Sequence, residues 1–155
     1  MNNYSNYIKY QEVERKFAGA IDMFNSVSFA NMEEDISEHW DVKIDLKVDV
    51  KAMRKVNRTD DHPNENIHYV EFKNVHGDRG WLYGKADYFA FETQSYYIMV
   101  PKIRLQEFVA KKCASKEFSI APELYKLYTR QGRKDLITMV KTIDLMYLSD
   151  KIIEK

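Results

Sequence analysis

Apolar residues return at roughly helical intervals between Tyr7 and Asn25: Ile8, Val13, Phe17, Ala20, Ile21 and Phe24. Residues three and four apart share one face of a helix, so this stripe predicts an amphipathic first helix, with Ser5 or Asn6 as its cap. Glu14 falls beside the stripe, where it either pairs locally with Lys9, Arg15 or Lys16 or reaches a site. Met32 to His39 is acidic and predicts a short helical turn. The period then changes to two. Trp40–Ile44 and Lys47–Val56 read as strands joined by a tight turn at Asp45-Leu46, a hairpin that carries Asp41 towards Asp49.

The polar run N-R-T-D-D-H-P-N-E-N, Asn57 to Asn66, predicts a loop in which His62 is solvated. His68–Val75 reads as a third strand. A glycine-rich stretch containing Trp81 and Tyr83 follows and predicts a turn with a short helix. Its glycines lack phosphate-loop spacing. Ala86–Glu92 and Tyr96–Pro101 are aromatic and β-branched, which predicts two more strands turning at Thr93-Gln94-Ser95. Asp87, at the first of these strands, reads as structural, bonding the glycine-rich turn. Arg104–Lys112 predicts a helix with Leu105, Phe108 and Val109 on one face. Beyond it Leu136–Thr142 reads as a strand and Ile143–Lys155 as a closing helix.

Composition adds bounds. The chain has 155 residues, 45% hydrophobic and 31% charged, enough for one domain with a core of its own. No apolar run approaches membrane-spanning length and the N-terminus has no signal-peptide core, so a cytoplasmic location with no membrane partner is expected. A single cysteine, Cys113, excludes an intramolecular disulfide and predicts a buried thiol. Net charge is zero, but acids dominate from Glu12 to Asp49 and bases from Lys102 to Lys141. That asymmetry fits acids for metal and bases for phosphate, and fits self-association equally.

The candidate chemistry lies in a repeated triplet, Asp49-Val50-Lys51 and Glu71-Phe72-Lys73. Residues i and i+2 share one strand face, so each triplet places a carboxylate beside a lysine. With a second acid upstream, such a pair can hold a hard cation and orient a water, the minimum for metal-assisted phosphodiester cleavage. Alternating Lys and Asp also solvates an ordinary antiparallel sheet.

The order helix, strand, strand, strand, short helix, strand, with an acid on the helix, an acid on one strand and acid-x-lysine on the next, resembles the PD-(D/E)XK nuclease superfamily. The hairpin W-D-V-K-I-D-L-K-V-D-V-K resembles that of Holliday-junction resolvases and phage-type endonucleases. Downstream, Y-V-E-F-K, H-G-D-R-G-W, K-A-D-Y-F-A-F and I-M-V-P-K-I-R-L-Q-E-F-V resemble small phage proteins of that superfamily, so the likeness runs from Glu12 to Lys112.

The resemblance implies an α/β (α+β) fold with a restriction-endonuclease-like core, a mixed central sheet flanked by helices in the order α-β-β-β-α-β. It implies one domain over 1–155, with its core at about 7–112 and a C-terminal extension over 113–155. It also implies a DNA endonuclease using Mg²⁺ or Mn²⁺ on duplex or branched DNA, working in a host cytoplasm if phage-encoded, and it allows a homodimer.

In that reading Asp41, Asp49 and Glu14 (Glu12 less readily) hold metal with the Val50 carbonyl, and Lys51 orients water. A second register uses Asp49 with Glu71 and Lys73. Lys102, Arg104, Lys111, Lys112, Arg130, Arg133 and Lys134 contact the DNA backbone, and Trp81 and Tyr83 either stack on a base or pack in the core. The competing expectations are an idle member of the fold used for DNA binding or assembly, and an inhibitor that binds a host protein with its acidic part.

Overall fold

The computed structural model describes residues 3–20, 28–43, 46–57, 59–113 and 118–155. Among them are four helices, α1 (Asn3–Ala20), α2 (Met32–Glu38), α3 (Lys102–Lys112) and α4 (Thr142–Leu148). The strands are β1 (Ser28–Phe29), β2 (Val42–Lys43), β3 (Lys47–Lys51), β4 (Ile67–Lys73), β5 (Tyr88–Glu92), β6 (Tyr96–Pro101), β7 (Leu136–Lys141) and β8 (Lys151–Glu154). Six of them form one mixed sheet in the order β1-β2-β3-β5-β6-β8, and β4 and β7 form a separate antiparallel ribbon. The class is therefore mixed α/β, with helices on a mixed sheet.

Strand β5 explains why the sheet is covered on both sides. Its burial is nearly continuous, with Phe89 and Phe91 facing one core and Ala90 the other. Alternation along the strand sends these neighbours to opposite faces. On the Ala90 face, Phe17 of α1 packs edge-on against Tyr97 at 5.1 Å. On the phenylalanine face lie Leu105 and Val109 of α3, Leu145 of α4, and Val70 and Val140 of the ribbon. Cys113 is buried against Thr138, as its isolation in the sequence predicts.

Several local expectations change. Helix α1 already includes Ser5 and Asn6, so neither caps it; Ile21 and Phe24, expected on its stripe, lie outside the described residues. Helix α2 is capped by Asn31, whose side chain accepts from Glu33 and Glu34 while Glu34 returns a bond to the Asn31 N–H. The turn expected at Asp45-Leu46 falls partly outside the described residues. Strand β3 ends at Lys51, before Val56, and Arg54 instead bridges to Asn64.

The expected third strand leaves the central sheet: β4 pairs with β7, and β3 takes β5 as its parallel neighbour. Asp87 secures that neighbour. Its carboxylate accepts from the Lys47 N–H and its own N–H donates to the Lys47 carbonyl, each at 2.8 Å, so it is structural but binds β3 and not the glycine-rich turn. The expected closing helix is split. Helix α4 stops at Leu148, and Lys151–Glu154 runs antiparallel to β6 as an edge strand. Residues 136–154 thus supply a ribbon strand, a core helix and a sheet edge, and are built into the fold.

No helix among the described residues is long and apolar enough to cross a membrane.

Candidate active site

Strand β2 is only two residues long, and this shortness creates the site. Beyond its last pair with β3, the Val50 N–H has no strand partner from β2. The Asp41 carboxylate takes that place, accepting from Val50 at 2.5 Å, while the Asp41 N–H donates to the Val48 carbonyl. A partly buried amide needs an acceptor, and Asp41 supplies it from the hairpin end. Asp41 is 8% exposed and Asp49 4%.

On β3, Val48 faces the α1 core, so Asp49 and Lys51 face the other way, beside Phe89 and Phe91 in register. Trp81, at the start of a 3₁₀ turn over Trp81–Tyr83, packs on both phenylalanines, at 4.7 Å and 6.3 Å between centroids. Lys51 Nζ lies 2.5 Å from Asp49 Oδ1 and 4.4 Å above the Trp81 ring. Trp81 thus forms the floor under the lysine. The second oxygen, Asp49 Oδ2, is buried and has no hydrogen-bond partner.

These groups open into a cleft of about 1160 Å³, lined by residues from both the central sheet and the ribbon. Glu14 of α1 and Asp35 of α2 also line it. Glu12 points away and pairs with Lys16 at 3.1 Å. The charge field is visible in the acids. Burial, then the neighbouring Asp35 and Asp49 carboxylates, pushes Glu14 up to about 7. Burial and Asp49 raise Asp35 as well, and hold Asp41 well above the usual carboxylate range. Position α2 is fixed by Glu38 at its end, which accepts from Trp40, Lys47 and Lys85; those hydrogen bonds, from Lys47 first, hold it at about 2.

Glu71 reaches the same cleft from β4, where its carboxylate accepts from the Trp81 N–H at 3.4 Å. Lys73 does not line it. The β4–β7 register slips between Glu71 and Lys73, so the alternation that would place both on one face is broken. His68 also lines the cleft; burial holds its imidazole down at about 4, and its Nε2 has no partner.

The expected phosphate contacts separate into two groups. Arg130 and Arg133 line the cleft, with Arg130 held by the buried Asp135. Lys102, Arg104, Lys111 and Lys112 lie on α3, outside it. Lys102 donates to the Gly84 carbonyl, Arg104 pairs with Asp150, and Lys112 sits over Phe108 and Tyr125. Lys134 is exposed beside Gly77, also outside the cleft lining. Tyr83 is 42% exposed, next to Arg79.

Asp35, Arg54 and Lys55 line the cleft without having been singled out from sequence. Arg54 and Lys55 follow directly on the Asp49-Val50-Lys51 strand, and that adjacency was the available signal. Among the described residues, no group of three or more His, Cys, Asp or Glu side chains stands together as a ready metal ligand set. The chain matches no protein-family model, no curated protein and no solved structure.

Proposed function

We propose that this chain is a metal-dependent nuclease of the PD-(D/E)XK kind, cutting phosphodiester bonds of DNA in the cleft around Asp41, Asp49 and Lys51. The observation that carries the reading is the unpartnered Asp49 Oδ2. A buried carboxylate oxygen without a partner is costly, and here it lies in a field already crowded by Asp41, Asp35 and Glu14. A divalent cation supplies what that oxygen lacks. Magnesium-class ions need only one or two carboxylates and keep waters and substrate oxygens for their other positions, so Asp49 and Asp41 suffice, with Glu14 as the further acid. The bound ion would stabilise charge on the phosphate oxygens and activate a water.

The chain's own groups do the rest. Asp49 and the Trp81 face hold Lys51 Nζ in one place, so it can donate to a water or to the phosphate without reorganising. Arg130 and Arg133 offer positive charge at the same cleft for the phosphate backbone. The hairpin with its upstream helix acid supports the likeness to the restriction-endonuclease core.

The idle-fold reading draws on the absence, among the described residues, of a preassembled three-ligand set. One experiment separates the two. Plain, flapped and branched DNA are incubated with Mg²⁺ or Mn²⁺ and either wild type or Asp49→Asn, and melting is followed with and without Mn²⁺. Cleavage together with a Mn²⁺-dependent rise in melting temperature, both lost in Asp49→Asn, is expected. No cleavage and no rise would reject the enzyme.

A further inference from the structure

We propose that the strand entering this cleft is a single one: an unpaired stretch of nucleic acid, its bases on tyrosine rings and its phosphates on a cluster of arginine and lysine. The inference rests on the reading of the cleft as a phosphodiester site and names the form of its substrate.

The cleft has two chemical characters. Acids arrive from α1, α2 and the hairpin. Cations arrive from the segment after β3, as Arg54 and Lys55, and from the turn before β7, as Arg130 and Arg133. Arg54, Lys55 and Arg133 are exposed, whereas Arg130 is anchored by a carboxylate buried beneath it.

Among these cations stand Tyr10, Tyr69 and Tyr128. Tyr69 and Tyr128 are half-buried in the cleft, and Tyr10 is 41% exposed with the Arg54 guanidinium 5.5 Å from its ring centroid. Tyr69 and Glu71 are two apart on β4 before the bulge, so one ribbon face presents a ring beside the Glu71 carboxylate. Cations that track phosphates, interleaved with rings, are what single strands need. In a paired helix the base faces are covered by their neighbours, and recessed rings have nothing to stack on.

Size agrees. Pockets that enclose one drug-sized molecule run to about 300–1,000 Å³. At about 1160 Å³ this cleft exceeds that range, which leaves room for a short stretch of one strand. Two of the cations outside the cleft, Lys102 and Arg104 of α3, are engaged with the chain's own carbonyls and Asp150.

The test is fluorescence anisotropy of the full chain in EDTA with labelled oligo(dT), oligo(U) and a blunt duplex of equal length. Either single strand is expected to bind at least tenfold more tightly than the duplex, and comparing the two assigns the sugar. Tyr69→Leu and Tyr128→Leu should each weaken single-strand binding about fivefold or more, with Tyr69→Phe retaining it. Arg133→Ala, at an exposed position where folding is not at stake, should lower the salt slope by about one. Duplex binding as tight as single-strand binding, or single-strand binding indifferent to Tyr128→Leu and Arg133→Ala, overturns the proposal. Because no metal is present, strand binding without any cleavage in Mn²⁺ would reject only the nuclease reading. Cleavage of duplex with no single-strand preference would reject only this one.

Discussion

Asp49-Val50-Lys51 and Glu71-Phe72-Lys73 are nearly the same triplet, yet the fold treats them differently. In the first, strand β3 stays regular, and its alternation delivers both charged groups to the Trp81 face, 2.5 Å apart. In the second, a slip in the ribbon register separates the pair. Glu71 turns to the cleft and Lys73 does not. Two residues of identical spacing share a face only while the ladder between them is intact, so a spacing motif is a conditional statement about local pairing. The surroundings differ as well. Asp49 is enclosed among other acids, whereas Glu71 is fixed by the Trp81 amide.

The largest expected effect tests this contrast directly. Lys51→Ala should reduce metal-dependent cleavage by about 10²-fold or more, while Lys73→Ala stays within about twofold of wild type. Steady-state cleavage of one oligonucleotide by the three proteins decides it, and loss confined to Lys73→Ala would transfer the site to the second triplet.

Next in size is Gly80→Ala. A Cβ there would stand 2.4 Å from the Glu71 carbonyl oxygen and 2.9 Å from its Cγ. The ribbon would have to move, at a cost of about 3 kcal/mol, seen as a melting temperature lower by roughly 6–12 °C. An unchanged melting temperature would mean that Glu71 is not held as described.

The third effect concerns the charge field around Asp49. Glu14 is raised in the folded chain to about 7 from 4.5, mainly by burial. Between those values the folded state binds the proton more tightly than the unfolded one, so this group's contribution to stability falls as pH rises. In metal-free buffer, Glu14→Gln should match wild type near pH 4 and exceed it near pH 8. Denaturant titrations at both pH values measure the gap; a gap larger at pH 4 would reverse the assignment.

The smallest test runs the other way. Burial lowers His68 to about 4 from 6.5, so its contribution to stability is present above 6.5 and declines as pH falls towards 4. His68→Gln should flatten that acid limb in thermal melts over this window, and a limb of unchanged slope would place the loss elsewhere.

Much of the local structure was legible. Helix α1, the acidic α2, the hairpin strands, β5, β6 and α3 follow from periodicity, turn residues and the stop at Pro101, because each depends on neighbours a few residues away. That Glu14 lines the cleft while Glu12 pairs with Lys16, and that Asp41, Asp49 and Lys51 line it together, was foreshadowed by stripe position and hairpin spacing. The roles of α3 cations were not. Lys102 and Arg104 read as free bases, but Gly84 and Asp150, far away in sequence, take them up.

Local sequence set the helical character of α1, α2 and α3, the extended character of β5 and β6, where the acids and bases concentrate, and that an acid-x-lysine pair shares a face wherever its strand stays regular. Those outcomes rest on side-chain period, backbone preference and charge, all local quantities. Long-range packing alone sends β4 out of the sheet to β7, makes the chain's end β8, sets Trp81 beneath Lys51, and brings Arg54, Lys55 and Asp35 into one cleft. Each of these is a pairing between distant segments, settled by which apolar faces can be buried together and which backbone groups still need partners.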